Sequence, residues 1–386
     1  MANTRSSKLE MLKSTDQVLA YLSSVSDASF PDGFRRPKSV TELTTGIGNG
    51  VHRLILNTSP PTTQHEAAAQ TPSTAILKHS TPYVFQIDGQ TVVWDLWPFE
   101  LYALRDVPNT EFVKTPKVYW VDESNRVMIT EDAGPKSKTL KNLLLGETIP
   151  GPAAFAKIGE ELGKYLSKLH TWGHSTEALS KYENKDARVI ASWRTCGRLE
   201  EVLSKEYPNL SQDIKEKVKI YCDEEKSKAL NGNTTVIMGD FWAGNVLVNL
   251  TEAGELESLY IVDWEMIRPA DAATEISQMV AEVWEAGEFS SSPDAKSAAK
   301  HLNLSLCSEY GRNMGPLPKD MLREVMLGGG AHVAVWVSIG FAEQGNEVTF
   351  KKARDSAMQI IEKALGEDTQ LRAHEAQDWG FSVLGR

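Results

Sequence analysis

Cysteine is scarce in this chain of 386 residues, with thiols only at Cys196, Cys222 and Cys307. They are far apart, odd in number and without a C-x-x-C pair, so neither a disulfide framework nor a zinc site is expected. Three reduced thiols in a cytoplasmic protein is the plain reading. No apolar run approaches the roughly 20 residues that a bilayer span needs, and the first ten residues carry no apolar core of a secretory signal. Positive charge is in deficit: 41 Lys and Arg stand against 52 Asp and Glu, a formal net charge of −11. A nucleic-acid or anionic-membrane partner calls for the opposite sign, so neither is expected, whereas a cationic small molecule such as an amine is compatible. What remains is an ordinary globular composition, 41% hydrophobic and 24% charged, with length enough for two domains.

The chain changes character part-way. A short amphipathic helix is expected over 16–22, capped by Ser14, Thr15 or Asp16. Strand-like runs follow at 51–56 and 75–78, separated by a Pro-, Thr- and Ala-rich stretch over 58–74 that reads as a long hairpin connection. A helical pattern over 92–107 precedes strands at 117–121 and 127–130. From about 152 helical spacing dominates, at 153–173, 211–230, 271–287, 293–310, 318–345 and 347–365. A strand-rich island interrupts it at 235–238, 245–250 and 259–264. The expected fold class is α+β, with a small β-rich lobe over 1–134 and a larger helical lobe over 135–386 that carries the island at 235–265.

The island reads Val236-Ile-Met-Gly-Asp240-Phe-Trp-Ala-Gly-Asn245-Val-Leu-Val248, then Ile261-Val-Asp263-Trp-Glu265. An Asp, an Asn five positions on, and a second Asp at a strand end suit phosphoryl transfer. One carboxylate receives the proton of the attacking hydroxyl, and an amide oxygen and another carboxylate hold Mg²⁺ against a triphosphate. Asp240 and Asn245 also suit plain turn positions, so the upstream sequence decides. There Gly46-Ile-Gly48-Asn49-Gly50 forms a Gly-rich hairpin whose backbone can approach phosphate. Lys78 ends an apolar strand, and Glu100 lies on the following helix, placed to pair with it. Each mark alone is ordinary; their order is not.

These segments resemble the aminoglycoside-phosphotransferase/choline-kinase superfamily, which has a protein-kinase-like bilobal fold, and within it the methylthioribose-kinase-like branch. The resemblance also runs through Val127–Gly134, Leu162–His170 and Ala331–Trp336. It implies an ATP- and Mg²⁺-dependent kinase that phosphorylates a hydroxyl of a small molecule. Asp240 is then the catalytic base and Asn245 and Asp263 the Mg²⁺ ligands. Gly46, Gly48, Asn49, Lys78 and Glu100 grip phosphate, and the backbone of Thr130, Glu131 and Asp132 reads adenine. Glu265, His332 and Trp336 are candidates for the acceptor site, and His170 is read as structural.

Two departures stand out. Met238 occupies a position where most of the superfamily has a loop-holding histidine, and the 270–276 loop differs from the usual pattern. The acceptor is therefore read only as a small metabolite, an amine-bearing alcohol or phenol first and a thiosugar such as methylthioribose second. A catalytically weak nucleotide-binding regulator is the competing reading. A protein kinase is disfavoured, because only 265–270 separates Asp263-Trp264 from the acidic stretch that begins at Asp271.

Overall fold

The structure, a computed structural model, describes residues 12–45, 49–57, 72–87, 90–315, 317–318, 320–366, 376–380 and 382–385. The chain divides into two compact units. One comprises Met1–Arg105 with Pro116–Pro135, the other Asp106–Thr115 with Lys136–Arg386.

The first unit opens with α1 (Thr15–Ser24), fixed by a capping box in which Ser14 and Gln17 satisfy each other's backbone N–H groups. After α2 (Asp32–Arg35) come β1 (Ser39–Thr45), β2 (Asn49–Ile55), β3 (Thr74–Ser80), the hairpin β4 (Tyr83–Ile87) and β5 (Gln90–Trp94), and α3 (Trp97–Asp106). The 92–107 helical pattern thus splits. Val92 and Val93 are β-branched and stay in a strand, and Pro98 sets the helix in its first turn. Of the following strands β6 (Val113–Lys114), β7 (Val118–Asp122) and β8 (Val127–Glu131), the last two complete an antiparallel sheet of order β1-β2-β3-β8-β7.

Strand alternation sends successive side chains to opposite faces. On one face Ala75 and Leu77 meet Leu22, Phe34, Trp120 and Ile129 in an apolar core. On the other face Met128, paired with Lys78 across β3 and β8, packs on Trp97 and Leu101 of α3. Lys78 therefore emerges under α3. The expected connection over 58–74 falls largely on residues outside those described.

The second unit runs from β6 through β9 (Lys138–Thr139), α4 (Leu140–Leu144), α5 (Pro152–Gly173), α6 (Thr176–Lys181), α7 (Lys185–Arg194), α8 (Cys196–Glu206) and α9 (Gln212–Asn231). It continues with β10 (Thr235–Ile237), β11 (Val246–Leu250), β12 (Leu256–Ile261) and β13 (Arg268–Ala270), then α10 (Ala272–Phe289), α11 (Ala295–Met314), α12 (Met321–Gly340) and α13 (Glu347–Leu365). α5 and α11 approach so closely that a Cβ at Gly159 would lie 2.2 Å from the Leu302 carbonyl oxygen.

The island resolves into two small sheets, β6-β12-β11-β9 and β10-β13. The strand expected over 259–264 ends earlier, at Ile261. Asp263 takes left-handed angles, φ 67° and ψ 61°, and starts a 3-10 turn at Trp264–Met266. α6, α7 and α8 were not anticipated from the sequence: α6 has only 6 residues, and α7 and α8 are polar overall, although Cys196, Leu199 and Leu203 give α8 a buried stripe.

Candidate active site

In the second unit the pairing Val246↔Ile261 brings one end of β11 next to one end of β12. The Val262 N–H donates to the Asn245 carbonyl at 3.0 Å, so Asn245 and Asp263 flank the same hairpin end. Asp240 lies in the loop between β10 and β11. The Asn245 side-chain amide donates to the Asp240 carbonyl at 3.0 Å and to its Oδ2 at 3.4 Å.

Two further donors converge on the other carboxylate oxygen. Arg194 Nη1 is 2.8 Å, and Gln278 Nε2 2.9 Å, from Asp240 Oδ1. Burial alone would raise the Asp240 pKa. The Arg194 charge, with hydrogen bonds from Gln278 and Arg194, more than offsets it and holds the carboxyl below the usual range. Among the described residues, Oδ1 thus takes two donors and Oδ2 only the long contact from Asn245.

The loop behind Asp240 is clamped without a histidine at position 238. Met238 is fully buried and offers no hydrogen bond. Instead Arg268, delivered by the pairing Ile237↔Arg268, donates from Nη1 to the Met266 carbonyl at 3.1 Å and to the Gly239 carbonyl at 3.3 Å. Burial and the nearby Arg194 charge push the Arg268 pKa down to about 10. From the other side the Gly239 N–H donates to Glu275 Oε1 at 3.1 Å. Glu275 Oε2 pairs with His170 Nε2 at 2.7 Å, and His170 Nδ1 meets the Tyr310 hydroxyl at 3.0 Å. Gly239 sits at φ 83°, and a Cβ there would lie 2.2 Å from both Arg268 Nη1 and the Met266 oxygen. Only glycine fits between the clamp and the loop.

A cavity of about 110 Å³ opens beside Asp240, lined by Arg194, Thr195, Gly239, Gln278 and His332 among others. His332 Nε2 lies 3.0 Å from Glu282 Oε1. Trp336, one turn along α12, donates from Nε1 to Thr195 Oγ1 at 3.1 Å. The guanidinium groups of Arg194 and Arg198 lie 5.4 and 5.0 Å from the Trp336 rings, so that aromatic face already carries two of the chain's own cations. Glu265 is half-buried in the 3-10 turn, its carbonyl accepting from Asn184 Nδ2 at 3.1 Å.

In the first unit Lys78 Nζ is 2.7 Å from Glu100 Oε1, both buried. Asn49 opens β2, paired with Ser80; Gly46 and Gly48 lie outside the described residues. Thr130 and Glu131 end β8, and the Asp132 carboxylate accepts from Arg53 at 2.7 and 3.0 Å and from the Gly134 N–H at 3.0 Å. Arg53 thus ties the end of β8 to the hairpin strand β2.

The model of the phosphotransferase enzyme family (APH) matches residues 76–305, more than half of the chain. The chain belongs to the phosphotransferase enzyme family. It is also similar to two curated proteins, both 4-hydroxytryptamine kinases. The one from Psilocybe cyanescens is 24% identical over 327 residues, covering 81% of this chain and 83% of that protein. The one from Psilocybe cubensis is 22% identical over 323 residues, covering 80% and 82%. Among solved structures, a choline/ethanolamine kinase family protein from Mesorhizobium loti matches with a TM-score of 0.47 at 16% identity, over 94% of this chain and 98% of that one.

Within this phosphotransferase, Arg194, Gln278 and Arg268 were not singled out from the sequence. Arg194 and Gln278 are 46 and 38 positions from Asp240, on helices whose register no local pattern fixes. Arg268 carried one usable signal, an arginine just beyond a loop that lacks its expected histidine.

Proposed function

We propose that this phosphotransferase moves the γ-phosphate of ATP to a hydroxyl of a small amine-bearing alcohol or phenol, with Asp240 as the base. The observation that carries this reading is the unequal treatment of the two Asp240 oxygens. Arg194 and Gln278 hold Oδ1, so Oδ2 is the oxygen left for an acceptor hydroxyl. The acceptor oxygen bonds to the γ-phosphorus, the bond from that phosphorus to the bridging oxygen breaks, ADP departs, and Oδ2 takes the hydroxyl proton. With a loose transition state the proton moves late, and a carboxylate held at low pKa is base enough.

Asn245 and Asp263 are the residues assigned to Mg²⁺. The donor chemistry fits: the Asn245 NH₂ is committed to Asp240, which leaves its amide oxygen, and Asp263 adds a carboxylate, both hard oxygen ligands. When bound, the ion supplies charge neutralisation on the phosphates. Lys78, paired with Glu100, is assigned to the phosphates, as are Asn49 and the Gly46 and Gly48 hairpin. The backbone of Thr130, Glu131 and Asp132, steadied by Arg53, is assigned to adenine. His332, Trp336 and Glu265 are assigned to the acceptor side, where Arg194 also stands.

The 4-hydroxytryptamine kinases among the similar proteins support an amine-bearing phenol as the first acceptor to try. The test is ADP release and mass gain of one phosphate across a panel of amine-bearing phenols, amino alcohols and thiosugars with ATP and Mg²⁺. Phosphorylation of a thiosugar alone would replace the acceptor assignment. ATP binding without transfer to any acceptor would overturn the enzymatic reading in favour of a nucleotide-binding regulator.

A further inference from the structure

Glu282 and Glu285 are three residues apart on α10 and so share one helix face. His332 reaches them from α12. One ligand atom of each lies within 4.8 Å of the other two, and His332 Nε2 stands 3.0 Å from Glu282 Oε1. All three are buried, Glu285 to 1% exposure. Yet neither oxygen of Glu285 has a hydrogen-bond partner among the described residues, nor has Oε2 of Glu282. Buried carboxylates without partners are costly, and paired or metal-bound ones are the rule.

The nearest cation does not settle the deficit. Lys141 Nζ is 3.9 Å from Glu282 Oε2, beyond hydrogen-bond range. It is held elsewhere, donating to the Gly340 carbonyl at 2.7 Å and lying 3.9 Å from the Phe341 ring centroid. One positive charge so anchored stands beside two buried carboxyl groups.

The size of the missing partner follows from access. His332 lines the cavity beside Asp240, but neither glutamate does. A substrate ammonium would have to carry its carbon stem past the imidazole to reach two buried glutamates, whereas a bare ion needs only the width of one atom. Two carboxylates and an imidazole are a mixed oxygen and nitrogen set suited to transition metals, with a further position left for water. Ligands presented from facing helices are a common way to build such a site.

We propose that Glu282, Glu285 and His332 form a binding site for a divalent transition metal of the Zn²⁺ or Mn²⁺ class, tying α10 to α12. The site is separate from the Mg²⁺ assigned to Asn245 and Asp263, and its imidazole ligand disfavours Mg²⁺. Its consequence is mechanical. α10 also carries Gln278, the donor to Asp240, so the metal stiffens the wall on which that contact rests.

The test uses the full chain purified without chelator, with bound metal measured by mass spectrometry. Melting is then followed before and after EDTA and after return of Zn²⁺, Mn²⁺ or Mg²⁺. The expected result is about one equivalent of transition metal, a melting temperature lowered by several degrees on chelation, and recovery with Zn²⁺ or Mn²⁺ but not with Mg²⁺. Glu285→Gln, isosteric and neutral, should lose the metal and melt like stripped wild type, indifferent to chelator. Wild type that holds no transition metal and melts identically under all these conditions overturns the proposal, and so does a Glu285→Gln variant that retains metal. The wild-type measurement decides even if the variant fails to fold.

Discussion

The guanidinium of Arg194 stands 2.8 Å from Oδ1 of Asp240 and within cation–π range of Trp336. It thereby links the carboxylate assigned as base to the wall assigned to the acceptor. Its charge, with the hydrogen bonds from Gln278 and from Arg194 itself, keeps Asp240 ionised against the opposing effect of burial. Arg194→Gln should let burial dominate, so the Asp240 pKa rises and the acid limb of the pH–rate profile moves to higher pH. Turnover at neutral pH should fall about tenfold or more as the carboxylate loses its orientation. An acid limb that stays where it is in wild type would remove Arg194 from this role.

Asp240→Asn keeps the shape of the side chain but removes the proton acceptor. Turnover should fall by roughly 10²- to 10⁴-fold while ATP binding, followed by calorimetry, is retained. Near-normal turnover would show that another group, or none, receives the proton.

Lys78 and Glu100 make a buried ion pair in the first unit. Removing one partner strands a buried charge, at a cost of about 3–5 kcal/mol, whereas removing both often costs little. Glu100→Leu should therefore lower the denaturation midpoint markedly, and adding Lys78→Met should restore much of it without restoring catalysis. A double variant destabilised by the sum of the Glu100→Leu and Lys78→Met effects would mean that the pair is not coupled.

These contrasts show what was legible beforehand. Lys78 and Glu100 were readable because strand alternation and helix spacing are local periodicities, and the register Lys78↔Met128 only had to agree with them. The nearness of Asp240, Asn245 and Asp263 was readable because the three lie close together in sequence, around one hairpin. Arg194, Gln278 and Arg268 were not, since each reaches Asp240 or its loop from an element 29 to 46 positions away. The buried Glu282–Glu285–His332 group was hidden for the same reason: His332 is 50 positions from Glu282. Trp336 is a candidate for the acceptor site by sequence, and nothing local foretells that Arg194 and Arg198 lie against it.

Arg268 tests whether the loop clamp acts on rate or on stability. Its guanidinium is buried at a desolvation cost, visible in its depressed pKa of about 10, so Arg268→Met removes an expensive charge along with two hydrogen bonds to carbonyls. The opposing effects, each of order 1–3 kcal/mol, should leave the melting temperature close to wild type. Turnover should nevertheless drop about tenfold or more, with little change in KM for ATP, because Gly239 loses its hold next to Asp240. A large loss of stability with proportionate activity would make Arg268 an ordinary core residue.

His79 supplies a pH dependence confined to the first unit. Its Nδ1 accepts from the Leu12 N–H at 2.9 Å, and His52 Nε2 lies 2.9 Å from the Leu12 carbonyl, so two histidines grip the backbone of one residue. An imidazolium has no acceptor nitrogen, and burial, which outweighs the opposing pull of Asp122, pushes the His79 pKa from 6.5 down to about 4. The unfolded chain takes up a proton near pH 6.5 that the folded chain refuses until about pH 4. Stability contributed by neutral His79 is therefore fully present above pH 6.5, falls as the pH drops through that window, and is lost below it. His79→Asn, which can still accept from Leu12 but does not titrate, should flatten the change in urea midpoint between pH 7 and pH 5. An unchanged slope in that variant would place the acid sensitivity on other groups.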